Sequence, residues 1–269
     1  MAYSRPDMIL GISPITFVEL FAAAIGIGTL ASLLGLGGGV FMVPLLSLGG
    51  FVATMPEAAG TSIAAVVFTS ISGSIAYYRQ RKINVRIAVL FMPTAIAGIL
   101  VGAQLTDVLD PSWLMVAFGV FLLYPISMMI TGRSPKEIRF SLRGQATGGR
   151  LYGLAAVLGF VAGMASGLFG IGGGTVFVPS LAVFLGLDIV TAVATSLFVM
   201  VPTTLVGATK HWLQGNLHPE LALPLVLGII IGAQIGPRIS HRIPKRRLRQ
   251  LFGVLLLYAS IHMLIQGLS

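Results

Sequence analysis

The sequence predicts an all-α polytopic membrane protein built from two inverted-topology repeats of about five helices each. Three observations predict this fold. Only 9% of the 269 residues are charged and 56% are hydrophobic, whereas a soluble domain carries about a quarter charged residues. Uncharged runs of about 20 residues, enough to cross a bilayer, recur along the chain. The second half also repeats motifs of the first half, with the charge of the connecting loops reversed.

Long stretches without any charge run through the whole chain. The two longest are residues 20–56 and 151–187, each roughly twice the length of a membrane-spanning helix. The others are 58–78, 87–106, 112–132, 189–209, 221–237 and 250–269. They lack the alternation of barrel strands, and a helix pairs its own backbone groups inside the bilayer. We therefore predict helices at approximately 14–34, 39–50, 57–78, 86–105, 112–131, 150–169, 174–186, 188–209, 219–237 and 249–267.

Short motifs of the first half return in the second half in the same order. The longest is Gly35–Leu46 (GLGGGVFMVPLL), which returns as Gly170–Leu181 (GIGGGTVFVPSL). The other pairs are Thr61-Ser62 with Thr195-Ser196, GILVGAQ at 98–104 with GIIIGAQ at 228–234, and FGVFLLY at 118–124 with FGVLLLY at 252–258. Such repetition indicates one unit used twice. We expect a first membrane repeat at 1–132, a basic cytoplasmic linker at 133–149 and a second membrane repeat at 150–269.

The few charged side chains are concentrated in short connections. Groups of Lys and Arg near 79–86, 133–150 and 238–249 hold most of the 17 basic residues. The positive-inside rule predicts that all three groups face the cytoplasm, which places Asp107 and Asp110 outside. Membrane orientation thus accounts for the net charge of +9, and no nucleic-acid partner is expected. The predicted location is the plasma (inner) membrane, as a multi-pass protein.

Equivalent connections in the two halves carry opposite charge. The acidic connection at 107–110 corresponds to the basic connection at 238–249. The halves should therefore cross the membrane in opposite directions, which requires an odd number of crossings in each half. Four helices per half are clear, so the fifth must lie within the longest uncharged stretch of that half. We expect a long helix, a glycine break and a short helix there, an arrangement typical of secondary transporters.

The two glycine triplets are the first candidates for a substrate site. They are Gly37, Gly38 and Gly39 in the first repeat and Gly172, Gly173 and Gly174 in the second. Glycine lets a ligand approach the backbone closely. The helix that follows presents free N–H groups and the positive end of its dipole, which favour an anion. Close helix packing is the alternative role of small residues in a membrane protein.

Neutral polar side chains are the second candidates for the substrate site. They are Thr61, Ser62, Gln104, Thr195, Ser196 and Gln234. Hydroxyl and amide groups can donate hydrogen bonds to an oxyanion without being charged. The hydroxyls could instead bond to their own helix, and the amides could hold neighbouring helices together. The sequence leaves both alternatives open.

Several kinds of chemistry are not expected from this composition. There is no cysteine, and none of the four histidines has a second ligand at metal-binding spacing, so neither thiol chemistry nor a metal site is predicted. No cofactor is predicted, and there is no GK[ST] motif for ATP hydrolysis. No Asp, Glu, Lys or Arg lies well inside a predicted helix, whereas proton pumps and cation carriers normally have such a residue. Among the histidines, His211 could titrate near neutral pH.

The doubled glycine motif followed by Val-Pro, the paired Thr-Ser dipeptides and the repeated GAQ resemble the sulfite exporter TauE/SafE family of membrane permeases. The resemblance covers about 14–267. It implies a polytopic plasma-membrane protein that moves sulfur-containing anions such as sulfite, sulfoacetate or related organosulfonates. It also implies that the glycine triplets and both Thr-Ser pairs lie at the substrate site.

The residues and the resemblance together predict a secondary transporter of small sulfur-containing anions. It would work by alternating access, with one repeat bundle moving against the other. The expected partners are the anion and the lipid bilayer; a coupling ion (proton or sodium) and a homodimer are compatible with the sequence. An anion channel is the first alternative. A membrane-embedded enzyme is the less favoured alternative, because no helix interior offers a His or Asp partner for a serine.

Overall fold

The protein is a bundle of helices. The computed structural model describes residues 12–34, 36–130, 149–185, 187–239 and 245–268, in which there are helices and no β-strands. The helices are α1 (Pro14–Leu34), α2 (Gly39–Leu48), α3 (Met55–Arg79), α4 (Val85–Val108), α5 (Pro111–Ile130), α6 (Gly149–Phe169), α7 (Gly174–Pro179), α8 (Ile189–Leu213), α9 (Pro219–Ile239) and α10 (Lys245–Leu268). The predicted all-α membrane class is confirmed. Apart from Gly149, the predicted linker at 133–149 lies outside the described residues.

Most helix boundaries lie close to the predicted ones, and α1 coincides with its prediction. The second repeat shows the larger differences. The helix α8 continues beyond the predicted end near residue 209 to Leu213, which brings Lys210 and His211 into the helix. The helix α10 begins at Lys245 rather than near residue 249, so part of the third basic group lies on its first turn.

The short helix of the second repeat has two parts. Its α-helical part ends at Pro179, and a wider π-helical turn continues from Ser180 to Phe184. Proline has no N–H to donate, so it interrupts the regular pairing of each residue with the fourth one before it. The predicted single helix at 174–186 is therefore an α-helix followed by a π-turn.

Within the described residues, five helices are long and apolar enough to span a membrane by length and composition: α1, α3, α4 and most of α8 and α9. Large apolar side chains, such as Trp113, Leu205 and Tyr258, are exposed on the surface of the bundle. A surface of this kind is typical of a protein that is embedded in lipid. Among the five, α3 and α8 are the most enclosed. In their most apolar segments, 78% and 61% of the residues are buried, so these two helices form the centre of the bundle.

The helices α4 and α6 pack in parallel at very close range. A Cβ atom built at Gly98 would overlap the carbonyl oxygen of Phe160, and one built at Gly102 would overlap that of Met164. From the first contact to the second, the position advances by four residues in both helices, so α4 and α6 run in the same direction. Small residues at every fourth position allow this approach of backbones, as is common between membrane helices.

The helices α1 and α9 form a second parallel pair of the same type. A Cβ atom at Gly228 would overlap the carbonyl oxygen of Phe21, and one at Gly232 would overlap that of Ile25. Each parallel pair therefore joins a helix of the first repeat to a helix of the second repeat.

The central helices α3 and α8, which occupy equivalent places in the two repeats, pack antiparallel. Gly60, near the start of α3, lies against His211 near the end of α8. Gly73, near the end of α3, lies against Leu197 near the start of α8. Each central helix thus runs opposite to its counterpart.

The equivalent helices α5 and α10 are antiparallel as well. The Ser260 hydroxyl of α10 donates to the Gly119 carbonyl of α5 at 2.7 Å. Gly267, later in α10, lies against Ser112, earlier in α5. In both pairs, α3 with α8 and α5 with α10, equivalent helices of the two repeats therefore run in opposite directions.

These directions separate most of the charged side chains of the described residues; Asp188 at the start of α8 and Lys210 near its end are exceptions. The ends of α3 and α9 and the starts of α4 and α6 lie at one end of the bundle, which we call the basic end. It carries exposed Arg79, Arg81, Lys82, Arg86 and Arg238. The opposite end, which we call the acidic end, carries exposed Asp107 and Asp110. This separation matches the arrangement that the positive-inside rule requires.

The start of α8 offers a test of helix capping and its pH dependence. The Asp188 carboxylate accepts hydrogen bonds from the backbone N–H groups of Val190 (3.2 Å) and Thr191 (3.1 Å). Hydrogen bonding, foremost from the Thr191 side chain, holds the pKa of Asp188 below its usual value. A carboxyl group with a lowered pKa stabilises the fold above its unfolded pKa of about 3.9, and this contribution is lost as pH falls through the folded pKa.

We expect Asp188→Ala to lower the free energy of unfolding by about 1 kcal/mol at neutral pH, the usual cost of losing an N-cap. The loss should shrink in acid, where the wild-type carboxyl is itself protonated. Thermal unfolding of the detergent-purified protein at neutral and acidic pH measures both values. The control is Asp188→Asn, which keeps a side-chain oxygen and should lose less stability. An equal loss at both pH values would contradict the assignment.

Candidate functional site

Both glycine triplets break their helices through backbone angles that other residues rarely adopt. The φ angles are 78° at Gly37, 95° at Gly38, 79° at Gly172 and 76° at Gly173. Positive φ values are sterically costly for any residue with a Cβ atom, so glycine is required at all four positions. Each break thus has the same local geometry, as the repeated motif predicts.

A short helix begins directly after each break. Gly38 is the N-cap of α2 and Gly173 is the N-cap of α7, and neither has a side chain that could bond to the first N–H groups. The Gly38 carbonyl accepts from the N–H groups of Phe41 and Met42, both at 3.0 Å. The Gly173 carbonyl accepts from those of Val176 (3.0 Å) and Phe177 (2.8 Å). The two N–H groups before these donors in each helix receive no side-chain cap, so they can donate to a ligand.

The two breaks contact each other in the interior of the bundle. A Cβ atom built at Gly39 would overlap the carbonyl oxygen of Gly170 and lie 2.5 Å from the Ile171 Cα. Ile171 and both triplets are buried. The start of α2 therefore packs directly on the backbone that leads into α7.

Two apolar side chains fill the space beside both breaks. Val66 of α3 and Met200 of α8 each lie against Gly37 and against Gly172, and neither side chain is exposed at all. The two residues are equivalent in the repeats, because Val66 follows Thr61 by the same interval as Met200 follows Thr195. We call this pair the central seam. It closes the bundle at its middle with hydrocarbon and a thioether rather than with charge.

The threonines of the Thr-Ser pairs are buried at opposite ends of the bundle. The Thr61 hydroxyl accepts from the His218 backbone N–H at 3.1 Å, and the Thr195 hydroxyl accepts from the Asn84 backbone N–H at 3.0 Å. Each hydroxyl therefore holds the loop between the third and fourth helices of the other repeat. The structure does not bring Thr61 and Thr195 together at the glycine breaks.

The serines of these pairs lie closer to the breaks. The Ser62 hydroxyl donates to the Gly170 carbonyl at 2.7 Å and thereby fastens the start of the second break to α3. The Ser196 hydroxyl bonds to the Val193 carbonyl of its own helix at 2.9 Å, and this is not its only interaction. Of the two serines, Ser62 therefore contacts a glycine break through a backbone carbonyl.

The two glutamines of the GAQ motif lie in different surroundings. Gln234 is partly buried, and its amide nitrogen donates to the Ser72 hydroxyl at 2.7 Å, which joins α9 to α3. Gln104 lies on an exposed face of α4. Gln234 therefore acts as a link between helices, and Gln104 does not reach the central seam in this conformation.

Charge is absent from the described interior of the bundle. The buried polar side chains there are serines, threonines and His211, with no Asp, Glu, Lys or Arg among them. No group of three His, Asp or Glu side chains suited to a metal ion occurs in the described residues. What surrounds the breaks can offer hydrogen-bond donors and acceptors but no fixed charge.

A known protein family matches this chain along most of its length. The family described as "Sulfite exporter TauE/SafE" matches residues 20–263, which include both breaks, the central seam and both Thr-Ser pairs. The chain belongs to the sulfite exporter TauE/SafE family. The family identifies it as a multi-pass membrane transporter.

Curated proteins of two organisms illustrate this TauE/SafE relationship. "Probable membrane transporter protein YunE" of Bacillus subtilis (strain 168) is 30% identical over 231 residues, covering 78% of this chain and 84% of its own. "Probable membrane transporter protein YdhB" of the same organism is 31% identical over 192 residues, covering 70% and 76%. "Probable membrane transporter protein MJ0441" of Methanocaldococcus jannaschii is 29% identical over 203 residues, covering 71% and 70%. No solved structure matches the chain significantly.

The sequence prediction for this TauE/SafE protein omitted one polar residue beside a break. Thr175 is the second residue of α7, is 2% exposed, and its hydroxyl has no hydrogen-bond partner in the described structure. The equivalent residue in the first repeat is Val40. The signal was available as the one-residue difference between GGGT and GGGV, because a hydroxyl that replaces valine in an apolar environment requires a partner.

Proposed function

We propose that this TauE/SafE protein is a secondary transporter of small sulfur-containing oxyanions, such as sulfite or organosulfonates, across the plasma membrane by alternating access. The anion would bind where the two glycine breaks meet. The observation that carries this proposal is that contact, made by two uncapped helix starts in an interior without side-chain charge.

The donors at the breaks suit an oxyanion. Uncapped N–H groups at the starts of α2 and α7 point a partial positive charge at their ligand. The unpartnered Thr175 hydroxyl adds a neutral donor, and Ser62 holds the second break in place. We propose Gly37, Gly38, Gly39, Gly172, Gly173 and Gly174 as the core of the site. In this proposal Thr61, Thr195, Ser196, Gln104 and Gln234 act around it, at the loops and helix contacts that must change when the site opens.

The helix directions support an alternating-access mechanism. Antiparallel packing of α3 on α8 and of α5 on α10 is what an inverted repeat requires. The central seam closes the middle of the bundle in the described conformation. In this proposal, Val66 and Met200 must both move away from the breaks before a path can open toward either end.

The proposal is tested by ligand-induced stabilisation followed by flux. Purified protein is heated with sulfite, sulfate, thiosulfate or sulfoacetate, and sodium chloride at equal ionic strength is the control. A ligand that binds the native state raises the unfolding temperature. The stabilising anion should then cross the membrane of proteoliposomes with a rate that saturates. No stabilisation and no flux with any of these anions would reject the proposal, and flux that does not saturate would indicate a channel.

The Thr175 hydroxyl provides a residue-level test of the anion site. Thr175→Val removes the hydroxyl with little change of volume, and it introduces the residue type found at Val40. We expect the anion affinity to fall by about fivefold to tenfold, the equivalent of one lost hydrogen bond of about 1 kcal/mol. Stability should not fall, because the hydroxyl that is removed is buried and unpartnered.

The matched control for this test is Ser74→Ala. The Ser74 hydroxyl is also buried and unpartnered, but it lies on α3 away from the breaks, and its equivalent in the second repeat is Ala208. The control should leave the affinity unchanged. Equal affinity in Thr175→Val and wild type would remove Thr175 from the site.

A further inference from the structure

One titratable side chain is completely buried near the second glycine break. His211 lies in the last turn of α8 and is 0% exposed. Its Nε2 atom is 2.9 Å from the Gly167 carbonyl oxygen, whereas its Nδ1 atom has no partner. The simplest state with this geometry is a neutral ring that donates from Nε2 and keeps a free lone pair on Nδ1. A buried imidazole with one free nitrogen can take up a proton.

The first repeat contains the same bond made by a different side chain. Tyr77 occupies the place in α3 that His211 occupies in α8, and its hydroxyl donates to the Ser32 carbonyl at 3.3 Å. Ser32 and Gly167 both lie two residues before the end of the helix that precedes a glycine break. In each repeat, therefore, an aromatic ring on the central helix bonds to a backbone carbonyl shortly before the glycine break.

The two rings differ in one chemical property that matters here. A free imidazole titrates near neutral pH, whereas a free phenol loses its proton only near pH 10. Only the contact of the second repeat can therefore exchange a proton under ordinary conditions. This difference breaks the equivalence of the two repeats next to otherwise equivalent breaks.

We propose that His211 is the proton-coupling site of the transport cycle and carries one proton for each anion. This rests on the proposed anion transport. The lone pair of Nδ1 takes a proton from water on one side, a new N–H bond forms, and the ring becomes a cation. That N–H bond breaks when water on the other side accepts the proton. The added charge offsets one negative charge of the anion as the two cross together.

The ring is connected to the anion site through the backbone. Gly167 precedes the second break in the same chain segment, and its carbonyl accepts from the His211 ring. A positive ring donates a stronger hydrogen bond than a neutral one. Protonation therefore tightens the link between α8 and the end of α6. The Gln214 side-chain oxygen, three residues after His211 in the chain, is also buried and unpartnered.

The charged groups that act on His211 come from two elements. Asp107 of α4 and Lys210 of α8 interact electrostatically with the ring, while α3 and α6 present Gly60 and Gly167 to it. A second histidine lies at the same end of the bundle. The His218 ring is partly exposed. Its Nδ1 atom lies 2.9 Å from Glu220 Oε1, and its Nε2 atom lies 3.5 Å from Glu57 Oε2. It therefore needs its own control in any study of pH dependence.

The test uses proteoliposomes loaded with a pH-sensitive dye and supplied with labelled sulfoacetate or thiosulfate. Sulfite is avoided because it binds protons itself near neutral pH. Because these anions carry two negative charges, valinomycin and equal potassium on both sides hold the membrane potential at zero. With one proton per anion, each unit of pH gradient then supports about tenfold accumulation in wild type. In His211→Gln, which retains an N–H donor for Gly167, this accumulation should be lost while anion counterflow persists. His211→Tyr, which installs the contact of the first repeat, should behave in the same way.

The controls are Tyr77→Phe and His218→Gln, and both should keep the accumulation of wild type. Anion flux that does not respond to a pH gradient, or a response that survives in His211→Gln, would overturn the coupling site and leave anion transport standing. An absence of flux for every anion would reject the transport proposal instead.

A measurement without any anion tests the proton site directly. Nitrogen-15 labelled histidine gives NMR signals whose positions report whether each ring nitrogen is protonated, and His211→Gln identifies the signal of His211. We expect this signal to move between acidic and neutral pH. A ring that stays neutral throughout that range would overturn the proposal.

Discussion

Gly172→Ala is expected to reduce anion flux in proteoliposomes by at least about tenfold, because a barrier of only about 1.4 kcal/mol has that effect. The φ angle of Gly172 is 79°, so alanine is strained there. In addition, its Cβ atom would overlap Val66 and Met200 of the central seam. Met200 can move its flexible end, but Val66 is branched at Cβ and has little freedom to give way.

Gly215→Ala is the matched control for this change. Gly215 has nearly the same φ angle, 78°, but a Cβ atom there meets nothing within 4 Å. Backbone strain of about 1–2 kcal/mol is therefore common to both variants, and the collision at the seam belongs only to Gly172→Ala. We expect Gly215→Ala to lose stability and to retain flux. Similar flux in the two variants would show that the seam does not control transport.

The second large effect is expected at Gly39, where stability rather than flux is measured first. A Cβ atom at Gly39 would collide with backbone atoms of Gly170 and Ile171, which cannot rotate away as a side chain can. Gly39→Ala should therefore separate the two breaks and lower the free energy of unfolding by about 1–3 kcal/mol or more, as overpacking does. Thermal unfolding and flux should both be impaired.

Gly26→Ala is the matched control, because Gly26, like Gly39, lies in a helix. The opposite effect on stability is expected for it. Gly26 lies in α1 and is exposed, and a Cβ atom there would meet nothing within 4 Å. Alanine favours a helix over glycine by up to about 1 kcal/mol, so this variant should be as stable as wild type or more stable. A result in which Gly39→Ala is as stable as Gly26→Ala would show that the breaks do not press on each other.

Much of the fold could be predicted from the sequence, because lipid allows few arrangements of backbone. Uncharged runs of sufficient length must be helical, and the glycine triplets mark where the two longest runs are interrupted. Predictions failed where neighbours decide the outcome. The end of α8 is an example: Lys210 and His211 extend the helix because His211 bonds to Gly167 of a distant segment, which no local pattern reveals.

The glycine breaks of the candidate site were predictable, but their surroundings were not. Nothing in an apolar helix distinguishes Val66 or Met200 from its neighbours, because their position against the breaks arises from the packing of α3 on α8. The glutamines show what comparing the repeats could have added. Gln234 bonds to Ser72, and the residue equivalent to Ser72 in the second repeat is Val206, so Gln104 has no equivalent hydroxyl to reach.

The two parallel helix pairs have a consequence for what can move as a rigid unit. Since α1 is bound to α9 and α4 to α6 across glycine surfaces, the halves of the sequence are interleaved rather than side by side. A hinge motion that separated the residues before the linker from those after it would break both the α1–α9 and the α4–α6 interface. Any motion that keeps them must carry helices of both halves together, so the mechanical units are assembled from each half of the gene product. Two fragments cut at the linker would consequently need each other to fold.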